Sequence, residues 1–275
     1  MRQKFALIGH PLTHSISSKI HTKLYEHFHM DAVYEHRDTT DIQSEINSMK
    51  NEGVSGFNIT IPYKNDIIPF LDRIEEDAAV FGAVNTVKIE NGKLCGYNTD
   101  AAGFLKALSL NGISFQQKKV ILLGEGGACR SLAYLLAKSG AGEIVLLNRT
   151  INHARKIIDL TKNYVPSSCF TLIDGTFCDQ IEDGALIINT TPMGMFPETN
   201  SCPVSDFSCF NETHAVADLI YNPSETIFLK HAKQRGAKIM NGLPMLILQA
   251  FAAFTIWTGK TVPDEIYFDI MEWLQ

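Results

Sequence analysis

The 275-residue sequence has no CxxC pair, no internal repeat, no low-complexity tract, no Lys/Arg cluster and no apolar run of membrane-spanning length. Each absence excludes something. The six cysteines, Cys95, Cys129, Cys169, Cys178, Cys202 and Cys209, lack metal-site spacing, so no zinc site is expected. The apolar start Phe5–Ile8 is too short for a signal-peptide core and runs directly into Gly9 and Pro11. The thiols are therefore expected to be reduced and the setting cytoplasmic. Lys and Arg number 24 against 30 Asp and Glu, a formal charge of −6. That balance argues against a nucleic-acid partner and still permits a small anion held by one or two local cations. The longest apolar stretch, residues 243–257, contains Pro244, Gln249 and Thr255. It falls short of the roughly 20 residues a spanning helix needs, so a buried helix is expected and no membrane partner.

What is present is a globular balance, 45% hydrophobic and 20% charged, with enough chain for one large domain or two ordinary ones. Short β-rich runs alternate with helical ones. Strands are expected at 4–9, 32–38 and 55–62. Helices are expected at 17–28, with Ser17 or Ser18 as N-cap, at 41–53, and from Lys64 to Ala79 with an interruption at Pro69. A second series follows Asp100: helix 101–112, strand 118–124, helix 128–140, strand 143–150, helix 152–163, then strands near 170–174, 184–191 and 214–221. Residues 241–275 read as mostly helical. The pattern predicts an α/β protein of two α/β domains built on largely parallel sheets.

The most informative local motif is VILLGEGGACRSLAYLLAKSG. An apolar strand ends at Gly124-Glu125-Gly126-Gly127-Ala128 and a helix begins at once. Glycines at such a turn let the backbone approach a pyrophosphate, and the helix N-terminus offers free N–H groups and a favourable dipole. The pattern is GxGGA rather than strict GxGxxG. Where an NAD-binding chain usually places an acidic residue, Asn148-Arg149-Thr150 stands instead. A guanidinium there suits a 2′-phosphate and favours NADP.

Four polar clusters fall at expected turns: His14-Ser15-Ile16-Ser17, Asn58 to Lys64, Gly82 to Thr86, and Gly96 to Asp100. Turn and cap chemistry accounts for any one of them. Together, beyond the carboxyl ends of strands, they suit a small polyhydroxylated acid. Lys64 supplies the one ammonium of these clusters and Asp100 the one carboxylate. His10, His14 and His21 form no clear ligand set and are expected to be surface or capping residues, with no metal.

On these segments the sequence resembles the shikimate dehydrogenase (shikimate/quinate dehydrogenase) family. The matching stretches are IGHPLTHSIS, NITIPYK, GAVNT, GYNTDAAGF, GEGGACR, NRT, NTTPMGM, DLIYNPSET and NGLPMLILQAFAAFTIWTG, which together run along nearly the whole chain. The resemblance implies NADPH-dependent, reversible reduction of 3-dehydroshikimate to shikimate, a step toward chorismate and the aromatic amino acids. It implies a substrate domain of residues 1–100 plus 241–275 and a Rossmann-like NADP-binding domain of residues 101–240. Lys64 and Asp100 match the catalytic pair, and Ser15, Ser17, Thr60, Asn85, Tyr221 and Gln249 match substrate contacts. Gly124, Gly126, Gly127 and Ala128 match the phosphate loop, and Asn148, Arg149 and Thr150 the adenosine-phosphate site. Met193, Gly194, Met195 and Gly242 match positions near the nicotinamide.

Four positions depart from the family pattern. Ser18 and Thr22 replace the usual Pro and Asn, Glu125 replaces the usual Ala of the loop, and His153 stands where some members carry a second Arg. NADP is the expected cofactor, with NAD left open. A quinate/shikimate paralogue using either cofactor, or a nucleotide-binding regulatory relative without catalysis, are the alternatives. A monomer or homodimer acting on a small molecule is expected.

Overall fold

In the computed structural model, which describes residues 2–12, 15–148, 154–171 and 176–274, the chain divides into two units. One comprises residues 1–103 and 246–275, the other residues 104–245. The first opens with β1 (Gln3–Gly9), α1 (Ser17–His27), β2 (Ala32–Asp38), α2 (Ile42–Asn51) and β3 (Gly56–Ile59). A 3₁₀ turn (Ile68–Phe70), β4 (Arg73–Ile74), α3 (Glu76–Phe81), β5 (Thr86–Glu90) and β6 (Lys93–Tyr97) follow, and α4 (Asp100–Leu110) begins in the first unit and ends in the second.

The strand order of the first sheet is β2-β1-β3-β5-β6-β4. β1 pairs in parallel with β2 and β3, and β4 with β6. β5 is antiparallel to both β3 and β6. The β5–β6 hairpin closes on Asn91 and Gly92, which have φ of 52° and 75°. Two consecutive positive φ values give the tight turn that matches strand twist, and Asn-Gly is its preferred sequence. This reversal brings the start of β5 and the end of β6 to the edge where β1 and β3 end. Asn58 on β3 is paired with Thr86, and Thr86 with Tyr97.

Two expectations about the helices of this unit fail. The helix predicted from Lys64 to Ala79 is mostly turn. Pro62 and Pro69 each lack a backbone donor, and helix forms only at α3, where the Glu75 carboxylate accepts from Ala78 N at 3.2 Å. Neither Ser17 nor Ser18 caps α1. The cap position is Ile16, and the Ser15 hydroxyl accepts from Ser17 N at 3.3 Å.

The second unit holds β7 (Lys119–Leu123), α5 (Gly127–Lys138), β8 (Glu143–Asn148), α6 (Ala154–Thr161), β9 (Ser167–Thr171) and α7 (Thr176–Gln180). It continues with β10 (Leu186–Asn189), β11 (Ala215–Asp218), α8 (Ile227–Gln234) and β12 (Lys238–Met240). Every pairing is parallel, in the order β12-β11-β10-β7-β8-β9. Counted within the unit this is 3-2-1-4-5-6, the doubly wound dinucleotide-binding order. Strands β7, β8 and β10 are apolar and almost wholly buried, as a sheet covered on both faces requires. β9 begins earlier than expected, and residues 172–174 of the predicted strand lie outside the described residues. β12 was not foreseen.

The thiol expectation also needs correction. Cys178 of α7 and Cys209 are joined as a disulfide, with their Cα atoms 5.4 Å apart. Both segments pack on the core formed by Phe177, Val204 and Phe210, which brings together residues 31 apart in sequence. Cys95, Cys129 and Cys202 are free.

The chain ends in α9 (Leu243–Thr258) and α10 (Asp264–Leu274). In the first unit α9 buries Ile247, Phe251, Phe254 and Trp257. The Trp257 indole donates to Val87 O at 2.9 Å and stacks on Phe5. His21, expected at the surface or a cap, is fully buried and stacks on Tyr34 with centroids 4.3 Å apart. Its position on α1, four residues before Tyr25 and facing the same aromatic core, explains the error. Burial pushes its imidazole down to about 3, so it stays neutral. Among the described residues no helix is long and apolar enough to cross a membrane.

Candidate active site

At the shared edge of β1, β3, β5 and β6, buried and half-buried polar side chains are concentrated. Lys64 follows β3 by a turn whose backbone is tied by Tyr63 N to Thr60 O and Val84 N to Lys64 O, at 2.9 and 2.8 Å. Asp100 opens α4, where a carboxylate is favoured by the helix dipole. The Lys64 ammonium donates to Asp100 Oδ2 at 2.6 Å. The two side chains keep 31% and 20% exposure, so the pair is shielded yet reachable. Asn85 Nδ2 donates to the other carboxylate oxygen at 2.8 Å. Asp100 N is satisfied by Asn98 Oδ1 at 3.1 Å.

Behind this pair lies a buried layer. Thr99 N donates to Asn85 Oδ1 at 2.8 Å, and the Thr99 hydroxyl reaches Gln249 Oε1 at 3.4 Å. Asn58 donates to Thr86 Oγ1 at 3.0 Å and to Asn85 O at 3.2 Å. Tyr34 donates to Asn58 Oδ1 at 2.8 Å, and the Ser17 hydroxyl stands against the Tyr34 phenol. Of the residues anticipated from sequence, Lys64, Asp100, Asn85, Gln249 and Ser17 join one connected group. Thr60 sits half-buried at the end of β3 and Ser15 just before α1. Tyr221 belongs to the second unit, 37% exposed after β11. Asn58, Thr86 and Thr99 are legible in the sequence only as members of the polar clusters, and Tyr34 belongs to none of them. The signal available was the repeated pairing of Asn with Thr in NIT, VNT and NTD.

In the second unit the strand order reverses between β7 and β10, and ligands of open α/β sheets bind beyond the strand ends at that point. Gly124 stands there with φ +118°, and a Cβ on it would lie 2.6 Å from Thr190 Oγ1. Its absent side chain is demanded by the turn itself. Gly126 and Gly127 differ. Both are exposed, Gly126 has φ −76°, and a Cβ on either meets nothing within 4 Å. Protein packing does not call for glycine there, whereas close approach of a ligand to the N-terminus of α5 does. The loop therefore fits a pyrophosphate. Ala128 is exposed on the first turn of α5, and Asn148, half-buried, ends β8. Arg149, Thr150 and His153 lie outside the described residues, as does His14.

The next strand ends are locked to each other. Asn189 donates to Asp218 Oδ1 at 3.1 Å and Met193 O at 3.3 Å, and accepts from Thr191. The wholly buried Asp218 also accepts from Ile220 N and Thr226 Oγ1, at 3.1 and 2.7 Å. Burial pushes its carboxyl up to about 6 against the pull of these donors. This pins the loop carrying Met193, Gly194 and the 45%-exposed Met195. Gly194 N is held by Ser201 Oγ at 2.8 Å, and a side chain on Gly242 would run into Leu219 O.

A lysine and a carboxylate can move a proton but cannot deliver a hydride. The phosphate-accepting turn at the switch point of a parallel sheet marks the carrier that can. The chain is thus a nicotinamide-dependent oxidoreductase in class. Three family models match it: the shikimate dehydrogenase substrate binding domain over residues 7–87, shikimate/quinate 5-dehydrogenase over 106–172, and the shikimate 5′-dehydrogenase C-terminal domain over 242–266. Shikimate dehydrogenase (NADP(+)) of Caldanaerobacter subterraneus subsp. tengcongensis is 38% identical over 270 residues, covering 96% of this chain and 95% of that one. The solved shikimate 5-dehydrogenase of Thermus thermophilus, in complex with NADP(H) and shikimate, is 32% identical. Its TM-score is 0.85, with 97% of each chain covered. That of Listeria monocytogenes, in complex with shikimate and NAD, is 28% identical with a TM-score of 0.90, covering 98% of this chain and 96% of that one. The chain belongs to the shikimate dehydrogenase family.

Proposed function

We propose that the protein is an NADP-dependent shikimate dehydrogenase that reversibly reduces 3-dehydroshikimate to shikimate, on the route to chorismate and the aromatic amino acids. The observation that carries this reading is the Lys64–Asp100 pair, at 2.6 Å and braced by Asn85, in a chain of this family. Lys64 is the proton donor to the ketone oxygen in the reductive direction and takes the proton back in the oxidative one. Asp100 holds the ammonium in place. Asn85 holds Asp100 and contacts substrate together with Ser15, Ser17, Thr60, Gln249 and Tyr221.

When bound, NADP supplies and accepts the hydride. Gly124, Gly126, Gly127 and Ala128 hold its pyrophosphate at the start of α5. Asn148, Arg149 and Thr150 hold the 2′-phosphate, and Met193 to Met195 with Gly242 flank the nicotinamide. Residues 1–100 with 241–275 form the substrate domain, and residues 101–240 the nucleotide domain. Under this reading the enzyme works in the cytoplasm as a monomer or homodimer.

The test is consumption of NADPH on adding 3-dehydroshikimate, with shikimate identified as product by mass spectrometry. No consumption refutes the proposal. A second reading, in which quinate is also used and NAD accepted, is favoured by the matched shikimate/quinate family model and by the NAD-bound relative.

A further inference from the structure

Each oxygen of Asp100 receives one side-chain donor, Lys64 Nζ on Oδ2 and Asn85 Nδ2 on Oδ1. Only the nitrogen end of the Asn85 amide can serve. Turned over, the amide would set Oδ1 against the carboxylate, two acceptors with no proton between them. Three donors reach its oxygen, the Thr99 hydroxyl at 3.2 Å being the most distant. Thr99 N–H, which can only donate, lies 2.8 Å from Asn85 Oδ1. The Thr86 hydroxyl donates to the same oxygen at 3.0 Å.

A hydroxyl can give its proton elsewhere, and the Thr99 hydroxyl lies only 3.3 Å away. Asn58 bears on the choice from the far side. Its Nδ2 donates to Thr86 Oγ1 at 3.0 Å, which takes up one acceptor site of that oxygen and leaves its proton for Asn85 Oδ1, the nearer acceptor at 3.0 Å against 3.3 Å. Asn58 cannot flip in its turn, because the Tyr34 phenol donates to its Oδ1 at 2.8 Å and its own amide donates to Asn85 O at 3.2 Å. The chain runs one way: Tyr34 to Asn58 to Thr86 to Asn85 to Asp100. All of it short of Asp100 is buried, with Thr86 at 0%, Asn85 at 2% and Asn58 at 5% exposure. Water does not compete for these bonds, and in such surroundings a bond of wrong direction is costly.

We infer that Asn58 and Thr86 are positioning residues for the reaction. They reach Asp100 through Asn85, set the amide with its nitrogen toward the carboxylate, and so hold the carboxylate where it aligns Lys64. The inference deepens the proposed function and rests on the assignment of Lys64 and Asp100 to proton transfer. It separates two atoms of one small side chain. The hydroxyl of Thr86 does the positioning and its methyl only fills space.

The experiment compares Thr86→Val, which keeps the shape and loses the hydroxyl, with Thr86→Ser, which keeps the hydroxyl and loses the methyl. Steady-state oxidation of shikimate gives kcat and KM, and thermal melting of each variant confirms folding. With one buried hydrogen bond removed, Thr86→Val should lose about 10-fold in kcat, with a smaller rise in KM, since the loss falls on the reacting geometry. Thr86→Ser should recover most of the turnover. A filling role alone would order the variants the other way, with the valine better than the serine. Equal turnover in Thr86→Val and wild type overturns the inference, and so does a serine variant as slow as the valine. Should Thr86→Val not fold, Thr86→Ala against Thr86→Ser carries the same contrast, differing by one oxygen. A wild-type protein inert toward shikimate with both nicotinamide cofactors overturns the function itself. An active wild type with an indifferent hydroxyl overturns the positioning role only.

Discussion

Two glycines of the same loop should respond to alanine in opposite ways. At Gly124 the backbone has φ +118°, and a Cβ would lie 2.6 Å from Thr190 Oγ1 and 3.1 Å from Thr191 Cγ2. The Thr190 hydroxyl cannot easily retreat, because it donates to Leu123 O at 2.7 Å. Backbone strain at such a φ costs about 1–3 kcal/mol, and overpacking about 1–3 kcal/mol more. Gly124→Ala should therefore destabilise by on the order of 4 kcal/mol and lower the melting temperature by roughly 10 °C. At Gly126 the φ is −76° and a Cβ meets no protein atom within 4 Å. The only structural penalty is a poorer helix cap, below about 1 kcal/mol, or a few degrees in melting. The methyl instead enters the space assigned to pyrophosphate. Gly126→Ala should raise the KM for NADP about 10-fold or more, equivalent to the loss of roughly 1.4 kcal/mol of binding. Differential scanning fluorimetry and initial rates at varied NADP measure both quantities. A Gly126→Ala protein that melts far below wild type while keeping its NADP KM would refute the reasoning, since it would make that glycine a packing requirement.

Other consequences can be checked separately. Lys64→Ala should lose about 100-fold or more in turnover as a general acid is removed, while shikimate binding by calorimetry changes less; near-normal turnover removes Lys64 from the proton-donor role. Asp218, raised by burial from 3.8 to about 6, binds its proton more tightly in the folded than in the unfolded chain. Its contribution to stability is therefore fully present below about pH 3.8 and lost as pH rises through about 6, a change on the order of 3 kcal/mol. Asp218→Asn does not titrate, so wild type should lose stability relative to this variant between about pH 4 and 7 in denaturant melts, and a flat difference contradicts the burial argument. Arg149→Ala should raise the KM for NADP and leave that for NAD nearly unchanged, because a guanidinium pairs with the 2′-phosphate that NAD lacks; equal effects on both cofactors would remove Arg149 from that site.

The two units were unequally legible. In the second, continuous apolar runs such as KVILL and EIVLL, punctuated by Gly124 to Gly127, announce a parallel sheet and its phosphate turn with little ambiguity. In the first, the decisive element is the β5–β6 hairpin. Its strands, TVKIE and KLCGY, mix charged and apolar residues too loosely for clean alternation, yet the Asn91-Gly92 turn was readable in the sequence. Once that turn is placed, β5 runs back along β3, and Asn58, Thr86 and Tyr97 fall in register. That register explains why Lys64 and Asp100 meet although 36 residues separate them. The Cys178–Cys209 disulfide and the burial of His21 had no local signature, because each depends on which segments share a core. Asn58 and Thr86 were hidden for a related reason. Side chains such as theirs usually serve turns, and only the sheet register shows that these two are buried in line behind Asp100.

The central claim is the pairing of one substrate with one cofactor, and its most direct test is a four-way comparison of kcat/KM with purified protein. Shikimate and quinate are each oxidised with NADP and with NAD, followed at the nicotinamide absorbance band. The account predicts the highest kcat/KM for shikimate with NADP, with quinate well below it because a polar site penalises a ring whose groups do not match its donors and acceptors. A higher value for NAD than for NADP, or for quinate than for shikimate, would contradict it.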